Sequence, residues 1–256
     1  MRAAAWIIAI GAAVTTLVAT ATGDTPDAAG IISRALEAAG GADQLAKPRA
    51  YTFKQELTTR TRKSPTGLTT LSTFYFQPPK KMRMEEEGEL NGKPIKYVEV
   101  INGNRGWGKR NGTPVALSSQ AISHPLEVQQ GFGYKFILLL RDRTNKPTAL
   151  GESSSGDHTL TGLKLTHPVG RGTEERRLFF DAKTMLLARS ELHAKLSTGA
   201  EMTAEQTWDD YRTIDGIAVP HKVTHTMKDT AGTTVERMYS EFKFAEQFDS
   251  HLFDPP

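Results

Sequence analysis

The chain has 256 residues, with 32 Lys and Arg against 29 Asp and Glu, and no cysteine. So small an excess of positive charge does not by itself indicate a nucleic-acid partner or an anionic membrane, and no block of five basic residues is present. The lack of cysteine excludes disulfides and, in an exported domain of this size, favours a bacterial envelope protein.

The first 21 residues predict a cleavable export signal. Arg2 precedes an apolar run over residues 3–18, and Ala19-Thr20-Ala21 has the small-x-small form that signal peptidases accept. The run is shorter than the roughly 20 apolar residues that a membrane-spanning helix needs. We therefore expect cleavage after Ala21, a single domain over residues 22–256, and a periplasmic or otherwise extracytoplasmic location. No cysteine follows the run, so no lipid anchor is expected.

A short helix is predicted after the signal. Asp27 is a suitable N-cap, and Gly40-Gly41 is a suitable end. The apolar positions between them follow helical spacing; they are Ile31, Ile32, Ala35, Leu36 and Ala39.

From Tyr51 onward the pattern changes to alternation, which predicts β-strands. Tyr51, Phe53 and Leu57 share one face, and Lys54 and Glu56 share the other. Ten further segments alternate in the same way; they are 68–77, 81–87, 95–101, 106–110, 158–167, 175–181, 185–196, 201–211, 217–227 and 234–244. About eleven sequential strands predict an antiparallel sheet that curls or closes.

Two segments interrupt the strands. Residues 118–143 predict a helical stretch, broken at Pro125 and Gly131, that ends in the apolar run 136–140. This stretch is either a buried helix covering one face of the sheet or a mobile lid over a cavity. Residues 151–156, Gly-Glu-Ser-Ser-Ser-Gly, predict a loop.

The reactive residue types form no recognised catalytic or metal-binding motif. His221 and His225 lie on a predicted strand, where residues four apart are about 13 Å apart, whereas zinc holds its ligand atoms within about 2.1 Å. The serines of 151–156 do not match the Gly-x-Ser-x-Gly elbow. Neighbouring acids in the runs 85–87 and 209–210 face opposite sides of a strand, although carboxylates from separate strands could still meet. We expect no catalytic residue, metal or cofactor.

Apolar side chains in the strands are abundant instead. Twelve of them could line a concave sheet: Phe74, Phe76, Met82, Met84, Trp107, Phe179, Met185, Leu187, Trp208, Met238, Phe242 and Phe244. All of these except Phe179 and Phe244 form the predicted ligand-binding set. Each could simply pack in the core, but Met and aromatic side chains also suit an adaptable pocket for acyl chains.

Several landmarks resemble the LolA/LolB-like outer-membrane lipoprotein carriers. Residues 74–85 resemble the carriers' element in which a proline separates two strands, and residues 100–107 resemble their apolar strand followed by an Asn-Gly turn and a Trp. Residues 180–187 resemble a late hairpin of these sheets, and residues 252–256 resemble their terminal Phe-x-x-Pro. Gln77 stands where LolA-type carriers have an Arg, and Gly108-Lys109-Arg110 follows the Trp in place of Tyr-Asp or Tyr-x-Pro.

The resemblance implies an incomplete antiparallel β-barrel of about eleven strands, helices over its open side and an apolar cavity for acyl chains. The leading hypothesis is a non-enzymatic carrier or binding protein for lipoprotein acyl chains, lipid or another apolar ligand. We expect a monomer whose partners are a lipid or acylated protein and a transient membrane-protein partner, without nucleic acid. An exported scaffold with a filled core is the alternative, and a hydrolase whose carboxylates or histidines converge only in the fold is a third hypothesis.

Overall fold

One antiparallel sheet dominates the computed structural model, which describes residues 27–47, 49–90, 93–119, 122, 137–138, 140, 147–169, 172–195, 201–227 and 232–256. The helices are α1 (Ala28–Ala38) and α2 (Ala42–Ala46), with a 3-10 helix at Ser250–Phe253. The strands are β1 (Ala50–Thr61), β2 (Ser64–Gln77), β3 (Lys81–Leu90), β4 (Lys93–Asn102), β5 (Arg105–Arg110), β6 (Thr113–Val115), β7 (Thr148–Ser155), β8 (His158–Val169), β9 (Gly172–Asp181), β10 (Leu187–Lys195), β11 (Glu201–Ile214), β12 (Ile217–Met227) and β13 (Thr234–Ala245).

The strand order is β6-β5-β4-β3-β2-β1-β13-β12-β11-β10-β9-β8-β7. Every neighbour in the sheet is also a neighbour in sequence except β1 and β13, which join the first half of the chain to the second. Within the described residues β6 and β7 do not pair with each other, so the barrel stays open. The predicted fold class, a mainly β incomplete antiparallel barrel, is confirmed.

The sequence prediction missed two of the thirteen strands, β6 and β7. These are the two edge strands, and both contain residues that disfavour a strand, such as Pro114 in β6 and Gly151 in β7. An edge strand pairs on one side only, so it tolerates a proline or a bulged glycine. The prediction of a loop over residues 151–156 is therefore wrong for 151–155, where Gly151 marks a register shift in β7.

Helix α1 begins and ends where the sequence predicts. The Asp27 carboxylate caps it by accepting a hydrogen bond from the Gly30 amide at 2.7 Å. Ile31 and Ala35 are fully buried. Gly40 follows the helix with a φ of 119°, and a Cβ at this position would overlap the carbonyl oxygen of Gly216. Only glycine therefore lets α1 lie against the β11–β12 turn.

The sheet has an inner face, which packs against α1 and α2, and an outer face. One end of the barrel, the helix end, carries α1, α2 and the turn at residues 215–216. The opposite end, the far end, carries the turns at 62–63 and 111–112. One continuous core fills the helix end of the inner face, and the buried residues Ile137 and Leu140 belong to it.

The C-terminal segment packs on the outer face of β2–β4. Phe253 is fully buried, as is Val100 on β4. The Arg83 side chain donates a hydrogen bond to the Leu252 carbonyl at 3.3 Å. Gln77, at the position where the LolA-type carriers have an Arg, accepts a hydrogen bond from the Phe248 amide at 2.8 Å. This residue therefore anchors the end of the chain.

Two predicted segments fall largely outside the described residues. The export signal, residues 1–21, lies wholly outside, as does most of the stretch 118–143. None of the helices in the described part of the chain is long and apolar enough to cross a membrane.

Candidate functional site

An aromatic cluster forms the floor of the barrel at the helix end of the inner face. Its seven rings come from three adjacent strands, β2, β1 and β13; they are Tyr51, Phe53, Phe74, Phe76, Tyr239, Phe242 and Phe244. The rings of Phe53 and Phe74 have centroids 5.0 Å apart, and those of Phe53 and Phe242 are 5.7 Å apart. Aromatic pairs at such distances stabilise each other beyond their area burial. The floor is consequently a closely packed, largely apolar surface.

Apolar side chains continue along the inner face toward the far end, where they are less covered. Cross-strand pairing places six of them on this face: Leu57, Leu68, Ile95, Leu192, Met227 and Val235. All six keep part of their surface accessible, and Leu68 is 43% exposed. A fully packed core would bury such side chains. The far half of the inner face therefore presents apolar surface that a ligand could cover.

A polar row crosses the inner face between the floor and the far end. Its members lie directly opposite one another on six strands, in the order Arg110, Tyr97, Glu86, Ser72, Gln55 and Tyr239. Gln55 and Ser72 are buried. The Ser72 hydroxyl donates to the Glu86 carboxylate at 3.4 Å. The inner face is thus amphipathic along its length.

Glu99 lies beside this row and is the most buried carboxyl group on the inner face among the described residues, at 9% exposure. The Tyr97 hydroxyl donates a hydrogen bond to its Oε2 at 2.8 Å. Burial raises the pKa of the Glu99 carboxyl; the hydrogen bond from Tyr97 opposes this rise, and the nearby Glu86 carboxylate adds to it. Burial also raises the pKa of Tyr97, which keeps its proton for this hydrogen bond.

The structure distributes the predicted ligand-binding residues over both faces. Six are buried in the inner core, namely Phe76, Met82, Met185, Leu187, Trp208 and Phe242. Phe74 and Met84 are partly buried against that core. Trp107 lies opposite Val100 on the outer face. Met238 is 39% exposed on the outer face, where it borders a groove of about 610 Å³ with Leu71 and Glu56.

A β-bulge explains why Met238 and Phe242 face opposite ways. Residues four apart in a regular strand share a face. In β13 the pairing with β1 shifts register between Thr52 and Lys54, and Glu241 has a φ of 53°. The extra residue reverses the alternation, so Phe242 points inward and Met238 outward.

The two histidines lie on β12, as the sequence predicts. His221 is buried, with its Nδ1 3.0 Å from the Val219 carbonyl oxygen. Burial, with a smaller effect of Arg237, lowers the pKa of His225. No cluster of three metal-ligating side chains occurs within the described ranges.

Sequence reasoning missed Glu99 and Tyr97, which belong to the predicted strand 95–101. The available signal was a single carboxylate between Val98 and Val100, on the same face of the strand as the apolar Ile95 and Ile101. It also missed the contribution of Tyr51, Phe53 and Tyr239 to the floor. Alternation puts Tyr51 and Phe53 on one face without indicating that this face is the interior, and alternation with Phe242 puts Tyr239 on the opposite face, an assignment that the bulge in β13 reverses.

Comparison with protein-family models gives no match, and comparison with curated protein sequences gives none either. Solved structures are similar in fold. A LolA superfamily protein from Nitrosomonas europaea superposes with a TM-score of 0.54 at 14% identity, covering 86% of this chain and 95% of the other. A DUF1329 family protein from Desulfovibrio piger gives 0.56 at 11% identity, with coverages of 88% and 95%.

A putative outer membrane lipoprotein-sorting protein domain from Vibrio parahaemolyticus gives a TM-score of 0.52 at 10% identity, with coverages of 87% and 95%. At these identities the similarity shows the fold alone. The chain has a LolA-like fold, as the sequence landmarks predict.

Proposed function

We propose that this chain is an extracytoplasmic carrier or binding protein that holds an apolar ligand, such as an acyl chain or a lipid, on the inner face of its open barrel. The observation that carries the proposal is the partly exposed apolar surface of the far half, which continues from the aromatic floor. Each buried methylene of an acyl chain contributes about 0.8 kcal/mol. About ten of them would leave a useful affinity after the costs of association.

Two further findings support this proposal. The fold is shared with a structure titled as a lipoprotein-sorting domain, and residues 1–21 have the pattern of an export signal. A lipid or acylated protein as ligand, and a transient membrane-protein partner for delivery, belong to the same proposal. The absence of enzymatic activity is also part of this proposal.

The test is a titration of delipidated protein with a fluorescent neutral apolar probe. We expect saturable binding that Leu57→Asn, on the inner face, weakens about tenfold, because an amide in an apolar contact loses hydration. Leu71→Asn is the matched control on the outer face, where Leu71 is 58% exposed, and it should leave binding unchanged. Absence of saturable binding, or equal effects of the two variants, would contradict the proposal. Mass spectrometry of lipid that co-purifies with the native protein would identify the natural ligand.

A scaffold or interaction protein with a filled core is the second candidate. The burial of six predicted pocket residues in the inner core favours it. A scaffold would show no saturable binding of an apolar probe in the titration above, so that one experiment separates the two.

A further inference from the structure

We propose that the ligand of the inner face is an amphiphile with a positively charged head group, an alkylammonium ion or its equivalent, which Glu99, Tyr97 and Glu86 bind. This inference rests on the proposed function and specifies its ligand class.

The first observation is the orientation of three consecutive glutamates on β3. Glu85 and Glu87 point outward, where they form ion pairs with Arg83 at 2.6 Å and Lys96 at 3.1 Å. Glu86 points inward, opposite Ser72 and Tyr97. No described Lys or Arg forms an ion pair with Glu86. The outward Glu85 and Glu87 are therefore neutralised by neighbouring cations, whereas the inward Glu86 is left to another cation.

The second observation is the environment of Glu99 on the next strand. One oxygen of this carboxylate accepts the hydrogen bond from Tyr97, and the other accepts none from any described residue. No described cation pairs with it. A buried carboxylate without a counter-ion is costly, and a cationic ligand would remove that cost. Glu99 and Glu86 occupy diagonal positions of adjacent strands, which are about 7–8 Å apart, so one head group fits between them.

Several described cationic side chains face the same interior. Arg176 already pairs with Glu174 at 2.9 Å, and Lys93 is exposed at the far end of β4. Arg110 and Arg237 also face this interior. The Arg110 guanidinium lies 5.4 Å from the centre of the Tyr97 ring and is exposed. Arg237 lies opposite Leu57 on β13, three strands or about 14 Å from Glu86 at the usual strand spacing. Neither forms an ion pair with Glu86 or Glu99 within the described part of the chain. Two carboxylates near one exposed Arg leave a net negative charge at the site.

The site also borders the apolar surface that the tail requires. Glu99 lies directly opposite Met84, and Met84 lies opposite Phe74 of the aromatic floor. An ammonium group at Glu99 would therefore place its alkyl chain against the floor or along the far half. An anionic amphiphile would instead bring its head group toward two carboxylates.

The experiment compares three probes with the same twelve-carbon chain, each below its micelle concentration: dodecylammonium, dodecanol and dodecyl sulfate. Each displaces a fluorescent neutral apolar probe from the full mature protein at neutral pH. We expect dodecylammonium to bind about tenfold more tightly than dodecanol, since hydrogen bonds to charged groups are the stronger class. Dodecyl sulfate should bind more weakly than dodecanol.

Three variants test which side chains cause the preference for dodecylammonium. Glu99→Gln keeps the shape of the side chain and should abolish the preference for dodecylammonium while leaving dodecanol unchanged. Tyr97→Phe should reduce the preference, and it keeps the ring in place if Glu99→Gln fails to fold. Glu87→Gln, one position from Glu86 on the outer face, should retain the full preference.

Equal affinity for the three probes, or an unchanged preference in Glu99→Gln, would overturn this inference and leave the proposed function intact. Failure of all three probes to bind would overturn both.

Discussion

The carboxyl group of Glu99 makes the stability of the fold depend on pH. Burial raises its pKa in the folded chain, whereas in the unfolded chain the pKa is about 4.3. Between these two values the folded state binds more protons than the unfolded state, so the free energy of unfolding decreases as pH rises through this interval. Above the folded-state pKa the full penalty of burying the charge remains.

We therefore predict that Glu99→Gln is more stable than the wild type at neutral pH and that this advantage shrinks as pH falls toward about 4.3. The measurement is urea unfolding of both proteins from pH 4 to 8. Asp181 has a lowered pKa and contributes with the opposite sign, but its contribution cancels in the difference between the two proteins. Glu87→Gln, on the outer face, should show no such trend. A difference that does not change with pH would contradict the prediction.

The glutamates of β3 and β4 show which features of single residues can be predicted from the sequence and which cannot. Alternation correctly indicates that neighbours in the run 85–87 face opposite sides. It does not indicate which face is the interior, because the register with β2 and β4 decides that. Glu86 lies near Glu99 because Glu86 is paired with Tyr97. This register between β3 and β4 cannot be predicted from the spacing of residues in the sequence.

At the scale of elements, the contact of α1 with the β11–β12 turn depends on one glycine. Gly40→Ala would force a Cβ into the Gly216 carbonyl oxygen in addition to the cost of a positive φ. Gly41 also has a positive φ, of 87°, but a Cβ there would meet no atom within 4 Å. Comparing Gly40→Ala with Gly41→Ala therefore separates the effect of the steric clash on stability from the effect of the backbone strain.

We predict that Gly41→Ala destabilises the protein by about 1–3 kcal/mol, the cost of holding a residue with a Cβ in a sparsely populated backbone conformation of positive φ. Gly40→Ala should cost more, roughly 3 kcal/mol or above, because α1 must also move from the sheet. Chemical denaturation monitored by circular dichroism gives both values. Equal losses would show that the close contact between α1 and the turn does not determine the stability.

The elements that the sequence predicts are those whose pattern is regular. Asp27 and Gly40-Gly41 delimit α1, and eleven strands alternate clearly. The edge strands β6 and β7 lack that pattern, since an edge needs neither full burial nor two hydrogen-bonded neighbours. The bulge at Glu241 is equally invisible in the sequence, and it moves Met238 out of the interior where alternation with Phe242 would place it.

At the scale of the whole molecule, the two halves of the inner face differ in how deeply their side chains are buried. The helix end is a packed core that fixes the curvature of the sheet through the aromatic floor and α1. The far half keeps apolar and polar groups accessible between strands that this core holds in place. A closely packed floor beside a partly exposed half fits the proposed carrier, because the core would keep the shape of the site when the ligand leaves.

Ligand binding should therefore stabilise the whole fold. A ligand that binds only the folded state adds about 2.7 kcal/mol at a concentration one hundred times its Kd. For a domain of this size, each kcal/mol raises Tm by about 2–4 °C, so we predict a rise of roughly 5–10 °C with a saturating twelve-carbon amphiphile. Differential scanning calorimetry of delipidated protein with and without the amphiphile measures it. Leu71→Asn should keep the rise and Leu57→Asn should reduce it, because only Leu57 contacts the interior. A Tm that does not respond to any amphiphile would favour the filled scaffold instead.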